Sequence, residues 1–205
     1  MTSERVRTEE PRGGPKSRRE MRQERERAKA RRGVLEYALI LVVAFVLVFA
    51  IIKPFVVEAF RVPSESMLPT LEVRDRFLVN KFVYRFTEPE RGDIVVFRSV
   101  RPNERGEYDI LVKRVAALPG DTVRVQGGTL FVNGEPKREP YLNTDVVPDV
   151  NSPYGPVEVP EGTFFALGDN RGNSLDSRSY GPVPVENLKG EAFLRFWPLG
   201  RAEIL

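Results

Sequence analysis

Apolar positions follow two regimes along this chain. Residues 34–52 (VLEYALILVVAFVLVFAII) are apolar apart from Glu36 and Tyr37, both near the start. At 1.5 Å per residue the run would extend roughly 28 Å as a helix, close to the ~30 Å hydrocarbon core of a bilayer. Lys53 and Pro54 stop it. From Pro54 onward the pattern breaks into short runs rich in Val, Phe, Leu and Ile. These predict strands over Phe77–Phe82, Asp93–Arg98, Ile110–Ala116, Thr122–Val125, Thr129–Val132, Thr163–Leu167 and Ala192–Trp197. Turn chemistry separates them: Arg91-Gly92, Pro119-Gly120-Asp121, Gly127-Gly128 and Asn133-Gly134. Thr122–Val132 reads as a hairpin closed by the glycine pair. Residues 133–161, rich in Pro, Asn and Glu, read as a long exposed excursion.

Ahead of the apolar run, residues 1–33 are Arg/Glu-rich and nearly devoid of large apolar side chains. From Ser17 to Arg32 there is no Pro or Gly, so a solvated helix can form, but it has no apolar face to bury. The predicted organisation is a charged tail (1–33), a transmembrane helix (34–53) and a β-rich domain (54–205). The fold class expected is mainly β, a mixed β-barrel or β-sandwich-like domain behind one membrane helix.

Charge adds a direction. The net charge of +3 is unevenly spread: residues 1–32 hold twelve Lys/Arg against six Asp/Glu, and the rest of the chain is slightly acidic. The body therefore has no basic excess to suggest a nucleic-acid partner. Nine Lys/Arg lie between Lys16 and Arg32, whereas only Lys53 and Arg61 lie between positions 53 and 70. The positive-inside rule then places the N-terminus in the cytoplasm and the β-rich domain on the extracytoplasmic face of the plasma membrane. A cleaved secretory signal is the rival reading, with Val57-Glu58-Ala59 as a weak cleavage site. The long charged segment and the length of the apolar run argue against it.

The chain of 205 residues has neither histidine nor cysteine. That removes a Ser-His-Asp triad, any thiol nucleophile, thiolate metal sites and disulfides. A hydrolase built from these residues would have to use paired carboxylates, a metal held by carboxylates, or a Ser/Thr activated by lysine.

Three segments could supply such chemistry. In Val62-Pro63-Ser64-Glu65-Ser66-Met67-Leu68-Pro69 two serines sit between stiffening prolines. In Tyr108–Ala116 strand alternation puts Leu111, Lys113 and Val115 on one face, and Ile110, Val112 and Arg114 on the other. A lysine among apolar neighbours is usually a snorkelling edge residue. Buried, its ammonium is disfavoured, and a fall of about three units from ~10.4 would make it a base near neutral pH. Gly168–Arg178 (GDNRGNSLDSR) follows a predicted strand and is dense in hydrogen-bonding groups; a polar loop with a surface Asp/Arg pair has the same pattern.

Taken in order, PSESMLPTL, RGDIVVF, KRVAALPGD and GDNRGNSLDSR behind a membrane anchor closely resemble bacterial signal peptidase I, the Ser-Lys leader peptidases. The resemblance spans roughly residues 37–200. It implies a serine endopeptidase that cleaves signal peptides from exported preproteins after small residues, of Ala-x-Ala type, with no metal or other cofactor. It implies Ser66 as nucleophile, Lys113 as general base, and Ser64 with the Ser66 N–H as oxyanion hole. Ser174 would hydrogen-bond the Lys113 amine, while Asp176, Arg178, Asp169 and Arg114 would support the site. Val62, Pro63, Met67, Leu71, Leu111 and Val112 would line shallow apolar subsites. Expected partners are signal peptides, membrane lipid and the translocation machinery. Gly172 stands where the family usually has Asp, and Ala117 where Gly is common. The enzymatic rival is a self-cleaving repressor-type Ser-Lys peptidase, which would carry a DNA-binding domain in place of an anchor. The non-enzymatic rival is a tethered homologue that only binds signal sequences.

Overall fold

The computed structural model describes residues 18–52, 56–142 and 153–205. The first part of the charged tail and part of the 133–161 excursion lie outside the described residues. The described chain divides at Ala50/Ile51 into an N-terminal helical unit and a β-rich body.

Helix α1 spans Arg18–Leu47, followed by a short π-helical stretch, Val48–Ile52. Its polar half is built from Arg, Glu, Ala and Lys, all good helix formers. The helix therefore takes in the polar stretch from Arg18, where the absence of Pro and Gly allowed a solvated helix, and passes through Gly33 into the apolar run without a break. The segment Arg31–Ala50 is twenty residues long with mean hydropathy 2.6, enough by length and composition to cross a membrane.

The body is mainly β, as the alternation predicted. Its strands are β1 (Val57–Arg61), β2 (Arg76–Asn80), β3 (Ile94–Arg98), β4 (Ile110–Ala117), β5 (Thr122–Gln126), β6 (Thr129–Val132), β7 (Glu135–Pro136), β8 (Tyr154–Glu158), β9 (Thr163–Leu167), β10 (Val183–Pro184), β11 (Leu188–Trp197) and β12 (Glu203–Ile204). One helical turn, α2 (Ser177–Tyr180), precedes β10. An antiparallel sheet runs in the order β1-β2-β11-β3-β4-β9-β10, with β12 on β11; a smaller one runs β7-β6-β5-β8. Gly127-Gly128 and Asn133-Gly134 close two-residue hairpins with positive φ (55° and 75°; 57° and 82°), the geometry that favours Gly and Asn there.

All seven predicted strands form, and β11 begins four residues earlier than predicted. Lys189, Gly190 and Glu191 hid that extension. The 133–161 stretch is corrected in its described part: it contributes β7 and β8, and Val159 is buried. Pairing with β5 (Thr122↔Glu158, Val123↔Val157) supplies backbone partners that its polar composition did not announce.

The large sheet is covered on both faces, which is why Ile94–Phe97 is buried at four consecutive positions. Ile94, Val96 and Val112 join Val62, Met67, Leu71, Phe77, Val79 and Ala192 on one side. Val95, Phe97, Val115, Phe164, Ala166 and Val183 pack on the other. A third cluster unites the small sheet with Ala116, Ala117, Phe165 and Leu167. Phe77, Phe97, Phe164 and Phe165 are fully buried, each contributing about 2 kcal/mol of apolar transfer. Asp121 ties the sheets together: it accepts from both Arg91 Nε (2.9 Å) and Nη2, from Leu118 N–H (2.8 Å) and from Asn133 Nδ2 (2.8 Å). Burial alone would raise its carboxyl pKa, but these donors hold it below the usual range.

Candidate active site

The loop joining β1 to β2 presents the first serine pair. Its ends are closed by Val62 N–H to Asp75 O (2.9 Å) and Arg74 N–H to Val62 O (3.0 Å). Within it, Met67 and Leu71 have no exposed surface and plug the core, linked by Leu71 N–H to Met67 O (2.9 Å). Burying the residue directly after Ser66 leaves little freedom for Ser66 itself, which is 7% exposed. Ser64 is exposed, and its hydroxyl donates to Ser66 Oγ at 3.4 Å. Glu65, between them, is exposed and accepts from Asn173 Nδ2.

Strand β4 delivers Lys113 to this hydroxyl. Its Nζ donates to Ser66 Oγ at 2.6 Å and to Val112 O at 2.9 Å, and the residue is 3% exposed. Burial pushes the amine down to about 8, against the opposing charges of Asp176 and Asp169. The sequence requirement that the lysine be interior is thereby met.

The 168–178 loop encloses the pair. Asn170 N–H donates to Ser66 O (3.0 Å) and Asn170 Nδ2 to Glu65 O (3.1 Å), so the loop is stitched to the serine turn through its backbone. Asp169 is paired with Arg114 (Nε 2.9 Å, Nη2 2.7 Å) and accepts from Thr70 Oγ1 (2.5 Å). Asp176 is fully buried; it pairs with Arg178 (2.9 Å), accepts Gly168 N–H (3.0 Å) and caps α2. Each carboxylate is thus paired with an arginine of its own, which makes its burial tolerable.

Ser174 departs from expectation. The resemblance has it bonding the Lys113 amine, yet Lys113 Nζ is engaged by Ser66 and Val112, and Ser174 Oγ is buried with no hydrogen-bond partner among the described residues. It lies instead against Gly168: a Cβ there would fall 2.1 Å from Ser174 Oγ and 2.5 Å from Ser66 O. The six residues expected to line subsites also separate. Val62, Met67, Leu71 and Val112 share one apolar cluster, Pro63 is exposed, and Leu111 packs with Val95, Phe97 and Val115 on the opposite side. The alternation along β4 had already put Leu111 and Val112 on different faces.

Five residues of the site received no role from the sequence: Thr70, Asn170, Arg171, Glu139 and Tyr141. Asn170 and Arg171 stood inside a quoted motif. Glu139 and Tyr141 had no local signal, because they sit in the polar excursion. Among the described residues, no three acidic side chains are grouped to hold a metal ion.

A serine hydroxyl against a buried, weakly basic lysine can do one thing well: transfer its proton as the oxygen attacks a carbonyl. The comparisons agree with that chemistry. The signal peptidase I of Leptolyngbya laminosa is 47% identical over 153 residues, 73% of each chain. A probable signal peptidase I-2 of Synechocystis sp. is 44% identical over 172 residues, covering 83% of this chain and 77% of that one. The signal peptidase I of Mycobacterium tuberculosis is 36% identical, covering 84% of this chain and 76% of that one. The family model described as signal peptidase, peptidase S26, matches residues 34–197, and the chain belongs to that family.

Proposed function

We infer that this protein is a membrane-anchored serine endopeptidase that removes N-terminal signal peptides from exported preproteins, with Ser66 as nucleophile and Lys113 as its base. The observation that carries the assignment of roles is the 2.6 Å contact between Ser66 Oγ and a lysine nitrogen only 3% exposed. Deprotonated Lys113 accepts the Ser66 proton as Oγ attacks the carbonyl after position −1. The same amine then protonates the leaving nitrogen, and water, activated in turn, releases the acyl-enzyme. The Ser64 hydroxyl and the Ser66 N–H stabilise the oxyanion, a role supported by the closeness of the two hydroxyls.

A preprotein held by its own apolar segment shares the bilayer with this anchor, which raises their effective concentration. The excess of basic residues ahead of the apolar run supports an N-terminus in the cytoplasm and the β-rich body on the extracytoplasmic face of the plasma membrane. Small residues at −1 and −3 suit the shallow apolar subsites that the resemblance implies, of whose expected lining Pro63 is the exposed member. Membrane lipid and the translocation machinery are the further partners this reading expects.

The test uses the full chain in detergent with a preprotein bearing an Ala-x-Ala site, comparing wild type, Ser66→Ala and Lys113→Ala, with sequencing of the new N-terminus. Cleavage after the −1 Ala by wild type alone supports the reading. Equal cleavage by a dyad variant would place the chemistry elsewhere, and binding without cleavage by all three would make the protein a signal-sequence receptor.

A further inference from the structure

The polar stretch after β7 reaches the site from outside the recognised motifs. Glu139 is almost fully buried against Arg171: Arg171 Nη1 donates to Glu139 Oε2 at 3.0 Å and Nη2 to Oε1, the two side chains being 6% and 7% exposed. Tyr141 donates its hydroxyl to the same carboxylate at 2.6 Å. Its ring lies under the Arg114 guanidinium, with 3.9 Å from Cζ to the ring centroid. That is a close, partly desolvated cation–π contact.

These two arginines flank the contacts that hold the serine turn. Arg171 follows Asn170, whose N–H binds Ser66 O, and Arg171 Nε donates to Gly168 O at 3.2 Å. The Arg171 carbonyl accepts from Arg178 Nη2 at 2.7 Å, linking it to the Asp176 pair. Arg114 follows Lys113 in β4 and binds Asp169, the residue before Asn170. A segment with no catalytic chemistry of its own therefore grips both ends of the Asp169–Asn170 stitch.

We propose that Glu139 and Tyr141 are positioning residues for the Ser66–Lys113 pair, acting through Arg171 and Arg114 to hold the 168–178 loop against the serine turn. This rests on the dyad reading above. Without Glu139 a buried Arg171 guanidinium would keep only the Gly168 carbonyl as acceptor, a cost it relieves by swinging outward to water. The loop would follow, and a displacement of about 1 Å at Ser66 is enough to cost up to ~100-fold in rate.

The experiment measures kcat and KM of the full chain in detergent on an Ala-x-Ala peptide. Glu139→Ala, Glu139→Gln, Tyr141→Ala and Tyr141→Phe are run beside Ser66→Ala and Lys113→Ala, well below each variant's melting midpoint. The expected result for Glu139→Ala and Tyr141→Ala is a fall in kcat of about 10- to 100-fold with KM unchanged. Tyr141→Phe keeps the ring under Arg114 and recovers most of the lost rate. If Glu139→Ala does not fold, the isosteric Glu139→Gln reports the same loss of the charged pair. Wild-type kcat in the Glu139 and Tyr141 variants, with inactive dyad variants, overturns the proposal and leaves the dyad standing. A lowered melting midpoint with unchanged kcat overturns it equally, since the strap would then be structural only. Full activity in Ser66→Ala removes the dyad reading and this proposal with it.

Discussion

Gly168 lies so close to Ser66 that a methyl group on its Cα would sit 2.5 Å from the Ser66 carbonyl oxygen. The close approach is what allows Asn170 N–H, two residues on, to reach that same oxygen. Gly168→Ala is therefore expected to cost about 1–3 kcal/mol of stability through overpacking and up to ~100-fold in kcat through displacement of Ser66. Gly200→Ala, which meets nothing within 4 Å, is the control. Melting curves and steady-state kinetics on the two variants check it; a fully active Gly168→Ala would show that the loop can yield without moving the serine.

Activity should rise with pH through a midpoint near 8, where Lys113 loses its proton. Lys113→Arg should be inactive at every pH from 6 to 10, because a guanidinium stays charged throughout that range. Asp176 favours the ammonium form, so Asp176→Asn should move the acid limb to lower pH, and the unpaired Arg178 cation adds to the same shift. A pH–kcat/KM profile for each variant decides this, an upward shift in Asp176→Asn being the contrary result.

The same burial makes Lys113 a cost to the fold. Its folded pKa of about 8 lies below the unfolded value of 10.5, so the unfolded chain binds the proton more tightly between those two values. Stability therefore carries the full penalty below pH 8 and recovers as pH rises toward 10.5. Lys113→Met should abolish activity yet stabilise the protein at pH 7 by about 1–3 kcal/mol, and the gain should shrink above pH 8. Denaturant titrations at pH 7 and pH 10 give the comparison; a destabilised variant at pH 7 would mean that the amine's hydrogen bonds outweigh its desolvation.

Ser64→Ala should lose about 10²–10³ in kcat with little change in KM if the hydroxyl stabilises the oxyanion. Ser64→Thr, which keeps a hydroxyl, should recover most of it. A loss below about threefold in Ser64→Ala, against that ~10²–10³ scale, would confine Ser64 to a place beside the nucleophile without a share in catalysis.

Much of this protein could be read without coordinates. Near-continuous apolarity over residues 34–52 and alternation elsewhere are local properties, set by the helical and strand periods, and they placed the apolar helix and seven of the strands. The absence of His and Cys restricted a hydrolase to few nucleophiles, and the ordered motifs around Ser66 and Lys113 pointed to one. Composition misled where backbone pairing decides the outcome. Tyr154–Glu158 becomes a strand because β5 offers it an edge, not because its residues favour one.

The sequence by itself determined which groups are the candidates for the chemistry, since residue type and motif order are written locally along the chain. Only the tertiary structure decided what surrounds them. Burial of Lys113 against Ser66, the alignment of Gly168 with Ser66 and the grip of Glu139 and Tyr141 on two arginines all join residues from 27 to 102 positions apart. Such contacts depend on how strands β4 and β9 and the loops between them meet in space, and no periodicity of side chains along one strand records that meeting.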